Sequence, residues 1–258
     1  MPVTLLFEDR IAQLTLDRPE ALNALDSTMR KEWVDAWQEV RGNDEIWVVI
    51  VTGAGDRSFC VGSDLKEPPD DESSYVSRAF SGRGDGHLLP PMDTDKPILC
   101  AINGYALGGG LEIALACDIR IASANATLGL PEVRVGSMPG AGGTQNLPKS
   151  VGSSDAMYLL MTGDHVSADR ALNMGLISES TSPEQLMPRT MEIASRIASN
   201  APLSVRATKR LAKSAGDWPL ARGLDAERHV WGLLRSTEDR DEGRRAFREK
   251  RPPEYRGL

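Results

Sequence analysis

The sequence predicts an α/β protein whose helices gather toward the C-terminus. Apolar runs of strand length, each followed by a turn signal or a helical stretch, fill the first two thirds of the chain, and helical periodicity dominates from about Gly143 onward. The 258 residues are 40% hydrophobic and 26% charged, the balance of an ordinary globular chain rather than a disordered one. The expected organisation is an α/β core over residues 1–200 and a helical part over 201–258.

Val3–Phe7 and Ile11–Leu16 alternate apolar and polar residues around Glu8-Asp9-Arg10, which predicts a hairpin. Asp26 or Ser27 then caps a helix bearing Met29, Trp33, Val34, Trp37 and Val40 at helical spacing, ended by Gly42. Ile46–Thr52 and Ile98–Ile102 read as buried strands, the second entering a glycine turn at Gly104–Gly110 and then a helix, Leu111–Cys117. Ile119–Ala122 and Thr127–Gly129 read as short strands, and helices are expected at 143–150, 152–161, 168–174, 183–199, 202–214, 217–235 and 238–248. Lys66–Lys96, rich in Pro, Gly, Ser and Asp, suits a mobile surface loop or lid, and Pro252–Leu258 a linker.

Lys and Arg total 30 against 37 Asp and Glu, a net charge of −7 that disfavours a general nucleic-acid or anionic-membrane binder. The N-terminus lacks a basic, then apolar, leader pattern, and apolar runs such as Trp47–Val51 fall far short of the ~20 residues of a membrane helix. Cys60, Cys100 and Cys117 form no C-x-x-C pair and lie in apolar stretches, which suits small hydrophobes in a reducing compartment; a cytoplasmic protein without a metal site is expected.

Several features bear on chemistry. The glycines of Gly104–Gly110 precede a helix, whose first N–H groups and macrodipole favour an oxyanion or phosphate; a plain tight turn is the alternative. Glu112 follows Gly109 by three residues, among apolar neighbours on every face, and such a carboxylate is either paired with an unseen arginine or an acid/base group. Glu132 follows Pro131 where a short helix or turn begins, which taken alone is capping composition. Met138–Gln145 and Ser58–Leu65 are further loops offering free amides. Neither carries a P-loop or dinucleotide fingerprint, and Ser63 lacks a nucleophile elbow or a histidine partner. Arg206, Lys209, Arg210 and Lys213 form a basic stripe on one helix, a solvated face or a contact for phosphate or RNA.

With these residues the sequence resembles the enoyl-CoA hydratase/isomerase, or crotonase, superfamily over nearly its whole length. The resemblance rests on Leu16-Asp17-Arg18-Pro19-Glu20-Ala21-Leu22-Asn23-Ala24-Leu25, Phe59–Leu65, Ile102–Glu112, Leu130-Pro131-Glu132 and Pro139–Gln145. It implies a spiral of ββα turns with a helical C-terminal trimerisation part, and a homotrimer or homohexamer. It implies an enoyl-CoA hydratase, a carbon–oxygen lyase of the fatty-acid β-oxidation kind, adding water syn to a trans-2-enoyl-CoA. Coenzyme A is then part of the substrate, and no cofactor is needed.

Glu112 and Glu132 would be the two catalytic glutamates, and the N–H groups of Ser63 and Gly109 the oxyanion hole. Glu20, Ala21, Leu22, Val61, Asp64 and Leu65 would contact the coenzyme A thioester, Pro131 would line the site, and Gly140 would add an amide near the attacking water. Phe247 and Lys250 would reach the ligand of a neighbouring subunit. The alternatives are a Δ3,Δ2-enoyl-CoA isomerase using Glu132 as main base, another crotonase reaction, or an RNA- or protein-binding homologue acting through the basic stripe.

Overall fold

The computed structural model describes residues 1–67 and 88–258. The N-terminal hairpin forms as the alternation predicts, with β1 (Val3–Glu8) antiparallel to β2 (Ile11–Leu16) and both turn residues, Asp9 and Arg10, at positive φ. That two-residue turn matches the natural twist of a hairpin. The helix α1 (Ser27–Gly42) starts where Asp26 accepts a hydrogen bond from the Met29 N–H, and it buries Met29, Trp33, Trp37 and Val40.

From here the chain alternates between two sheets. β3 (Val48–Gly53) enters a large sheet and β4 (Ser58–Cys60) a small one; β5 (Ile98–Ile102) and β6 (Tyr105–Leu107) repeat the step before the helix α2 (Gly109–Ala116). β7 (Ile119–Ser123) and β8 (Thr127–Gly129) make the next pass, followed by α3 (Gly143–Ser150) and α4 (Ser153–Thr162). β9 (His165–Ser167), α5 (Ala168–Asn173), β10 (Glu179–Thr181) and α6 (Pro183–Ala198) complete the core. The large sheet runs β1-β2-β3-β5-β7-β10, parallel from β2 onward, and the small sheet runs β4-β6-β8-β9. Each pass therefore advances one strand in both sheets, which is a spiral of ββα turns.

β3 and β5 are buried at every position because both faces of the large sheet are covered. Val49, Val51, Cys100 and Ile102 face the cluster shared with α1 and the small sheet, while Val48, Ile50, Leu99 and Ala101 pack with Leu186 and Ala194 of α6. All three cysteines are buried and unpaired. Three more helices follow, α7 (Pro202–Ser214), α8 (Leu220–Leu234) and α9 (Glu238–Glu249). No helix among the described residues is long and apolar enough to cross a membrane.

Several expectations need correction. The glycine stretch 104–110 is more than a turn, since Tyr105–Leu107 is a strand, and the mostly helical C-terminal third contains β9 and β10. Three-residue strands are too short to show a period of two. The lid expectation falls largely on residues 68–87, outside the described residues. The end of that segment is no free loop, because Leu88 and Met92 are buried and Trp33 Nε1 donates to the Leu88 carbonyl at 2.9 Å. Lys96 is buried too, its Nζ donating to the Val40 and Asn43 carbonyls at the C-terminal end of α1, with burial lowering its pKa to about 8.

The basic stripe of α7 is occupied within the chain. Lys209 Nζ lies 2.7 Å from Asp118 and donates to the Lys96 carbonyl, Lys213 shares Asp118, and Arg210 pairs with Asp95. The stripe ties α7 to the edge of the core through buried Lys209, while Arg210 and Lys213 keep their side chains exposed.

Where α2 meets β4 there is no room for a side chain at Gly110. A Cβ at Gly110 would sit 2.0 Å from the Cys60 carbonyl oxygen. Gly110→Ala is therefore expected to destabilise the fold by about 1–3 kcal/mol or more. Gly42→Ala, where a Cβ meets nothing within 4 Å, should be near neutral. Chemical denaturation of both variants checks this.

Candidate active site

Beyond β4 the chain turns sharply through Gly62, whose φ is +86° and where a Cβ would lie 2.9 Å from the Gly109 nitrogen, so there is no room for a side chain. The next residues form a single-residue parallel bridge with Leu25. The Leu25 N–H donates to the Gly62 carbonyl at 2.8 Å and the Asp64 N–H to the Leu25 carbonyl at 3.1 Å. Since neighbouring peptides in an extended chain face opposite ways, the Ser63 N–H points away from Leu25. The Gly109 N–H, at the first position of α2, has no acceptor within the helix. The two amides thus meet at one place without hydrogen-bond partners of their own among the described residues.

They open on a pocket of about 460 Å³, also lined by Glu112, Glu132, Val61, Leu65, Pro131 and Gly140. Leu65, Val135 and Met138 leave apolar side chains exposed around it. The remaining predicted residues lie elsewhere. Glu20 and Ala21 belong to a 3₁₀ turn at Pro19–Ala21, Leu22 follows it in left-handed conformation, and none of the three lines the pocket. Asp64 sits behind Ser63, where the Lys66 N–H and then Arg18 hold its carboxyl below the usual range. Phe247 is largely exposed near the end of α9 and Lys250 caps that helix, on a surface of this chain apart from the pocket lining.

Glu112 is 3% exposed one turn into α2. Among the described residues no arginine pairs with it. Instead its Oε1 accepts the Ala141 N–H at 2.7 Å and the Gly143 N–H at 2.9 Å, so the amide-rich loop before α3 supplies its partners. Burial pushes its carboxyl above the ordinary range, and the two amide bonds oppose that rise. Glu132 stands at the start of the 3₁₀ turn Pro131–Val135, with its Oε1 about one van der Waals contact from Gly108: a Cβ there would lie 3.3 Å away. Its Oε2 is buried with no hydrogen-bond partner among the described residues. Burial raises its pKa first, and the Glu112 charge raises it further.

Three groups escaped sequence reasoning. Arg18 ties the motif together, donating to the Ala24 carbonyl and pairing with Asp26 at 2.9 Å and Asp64 at 3.2 Å. Asn23, fully buried in left-handed conformation, donates to the Ala54 and Ser58 carbonyls. Both lie inside the quoted Leu16–Leu25 block, but only the fold shows what they hold. Arg30 lines the pocket and donates to Ser63 Oγ at 2.7 Å, with nothing in its sequence surroundings to mark it. Cys60 makes a poor nucleophile, since full burial lifts its thiol to about 12. His165 and His229 lie in β9 and α8, neither lining the pocket, and His87 is outside the described residues.

The enoyl-CoA hydratase/isomerase family model matches residues 7–257. The chain belongs to that family. Among its relatives, the (E)-benzylidenesuccinyl-CoA hydratase of Thauera aromatica is 48% identical over 259 residues, covering the whole of both chains. The short-chain-enoyl-CoA hydratase of Clostridium acetobutylicum is 41% identical, covering 95% of this chain and 93% of that protein. The crystal structure of an enoyl-CoA hydratase from Bacillus anthracis superposes with a TM-score of 0.93 at 35% identity over the full length of both chains. The family thus shares the two-sheet spiral described above.

In this family member the Glu132 carboxyl holds its proton to higher pH in the folded state than the 4.5 of a free glutamate. Between those two pKa values the folded protein binds more protons than the unfolded one, so stability falls as pH rises through the window and then levels off. Glu132→Gln removes that loss. Its melting temperature relative to wild type should rise between pH 4.5 and pH 8, and thermal melts at a series of pH values that run parallel for the two proteins would contradict this.

Proposed function

We propose that the protein adds water reversibly across the double bond of a trans-2-enoyl-CoA. The observation that carries this is the pairing, in one pocket, of two backbone amides, unpartnered among the described residues, with one buried and one half-buried glutamate. The relatives named as hydratases support the reaction class.

The thioester oxygen accepts hydrogen bonds from the Ser63 and Gly109 N–H groups, which withdraw electron density from Cβ and stabilise the enolate that forms on attack. A water held between the glutamates is the nucleophile. Glu112, oriented by its two amide donors, accepts the proton of this water as its oxygen bonds to Cβ. Glu132, in its protonated form, delivers its proton to Cα on the same face; burial and the neighbouring Glu112 charge both favour that form. The water's hydroxyl ends on Cβ and a proton on Cα; Glu112 leaves protonated and Glu132 ionised, and proton exchange with water resets the pair. The two carboxyls titrate as a coupled pair. Gly140 faces the same water, and Pro131 sets the entry of Glu132.

Coenzyme A runs along Glu20–Leu22, Val61 and Leu65, and the exposed apolar rim at Val135 and Met138 becomes covered by ligand. The assembly is a homotrimer or a pair of trimers, in which exposed Leu220, Trp231 and Leu233 of α8 find partners and Phe247 and Lys250 reach a neighbour's ligand. A cytoplasmic location suits three buried, unpaired thiols.

Two measurements test this. Glu112→Gln and Glu132→Gln should each lower kcat for crotonyl-CoA hydration by about 10²–10⁴-fold. Normal hydration by Glu112→Gln refutes the two-glutamate mechanism, and retained double-bond isomerisation in that variant favours the isomerase. Lys250→Glu should raise the Kd for coenzyme A with the fold intact, and an unchanged Kd removes Lys250 from the site.

A further inference from the structure

We propose that the pocket selects an enoyl-CoA carrying a carboxylate on a short branch close to the thioester carbon, with Arg30 as the group that binds it. This rests on the proposed seating of the thioester oxygen at the Ser63 amide.

Arg30 lies on the first turn of α1, where its neighbours Met29 and Trp33 are driven into the core and leave the guanidinium at the pocket wall. It is half-buried, and its Nη2 donates to Ser63 Oγ at 2.7 Å. One residue therefore joins the cation to the thioester: the Ser63 hydroxyl touches Arg30 and the Ser63 N–H touches the carbonyl oxygen. Among the described residues, the carboxylates near Arg30 in the chain or beside Ser63 are engaged elsewhere. Asp26, one helical turn before it, and Asp64, next to Ser63, both pair with Arg18. Glu67 accepts from the N–H and hydroxyl of Ser27. Among the described residues no carboxylate lies within 4 Å of the Arg30 guanidinium.

A simple alkyl chain has no use for a half-buried cation beside its carbonyl. A ligand with a second carboxylate does, because the same pocket holds Glu112 and Glu132 and would otherwise repel it. A guanidinium has five donors in a planar fork; with one on Ser63 Oγ, the others remain for a carboxylate. The position of Ser63 fixes the spacing. A carboxylate one methylene away from Cα reaches a cation at the thioester, whereas one at the far end of a longer chain does not.

The test uses saturated thioesters, which bind without reacting, so that its result stands whether or not the protein hydrates. Calorimetric titration of the full chain with succinyl-CoA, butyryl-CoA, adipyl-CoA and coenzyme A should show succinyl-CoA binding about tenfold or more tightly than butyryl-CoA. Arg30→Met should bring that ratio close to one, and Arg30→Lys, which keeps the charge and loses the fork, should fall between. Three outcomes overturn the proposal: no succinyl preference in the wild type, a preference that survives Arg30→Met, or an equal loss for all four ligands. The last would assign Arg30 to the phosphates of coenzyme A. Tighter binding of adipyl-CoA than succinyl-CoA would overturn the short branch.

Discussion

The close contact of two backbones, the start of α2 against the segment leaving β4, governs the rest of this structure. Glycines at 62 and 110 remove the side chains that would hold these strands of chain apart, and the cost is backbone freedom lost on folding. In return, two peptide groups from distant parts of the sequence converge with a precision no flexible side chain supplies. Glu112 inherits its position from the same contact, since it is fixed one turn into a helix whose other residues are wholly apolar.

Buried charge appears here in two forms. Lys96, Lys209 and Asp118 are satisfied by carbonyls, amides and one another, and they fasten α1 and α7 to the strand edge at Ile98. Glu132 has an oxygen with no partner among the described residues, and its environment raises its pKa. A satisfied ion network is compatible with a structural role, whereas an unsatisfied carboxyl facing a pocket persists at the expense of stability. The difference between them is geometric and is invisible to composition.

Periodicity exposed those parts of the fold that are one-faced, the hairpin and α1 with its two tryptophans. β3 and β5, covered on both faces, showed instead as unbroken apolar runs. The small sheet does not, because β4, β6 and β9 are three residues each and its pairing is entirely long-range. At the site, the apolar surroundings of Glu112 betrayed its burial, but not its partners, which lie 29 and 31 residues away. Glu132 alone was indistinguishable from a capping residue, and its significance came from the resemblance. Arg30 had no sequence signature at all, as its contact with Ser63 spans 33 residues.

Main-chain donors at the pocket floor also bear on how such a protein diversifies. On the proposed seating of the thioester at the Ser63 and Gly109 amides, residue 61 supplies only wall and the side chain of residue 63 is decoupled from its amide, so a lineage can exchange the wall beside the carbonyl while the polarising groups stay where the fold puts them. Valine at 61 and serine at 63 are then neutral with respect to reactivity and consequential for what fits. Selection on ligand shape can act one side chain at a time, with no intermediate forced to rebuild its chemistry.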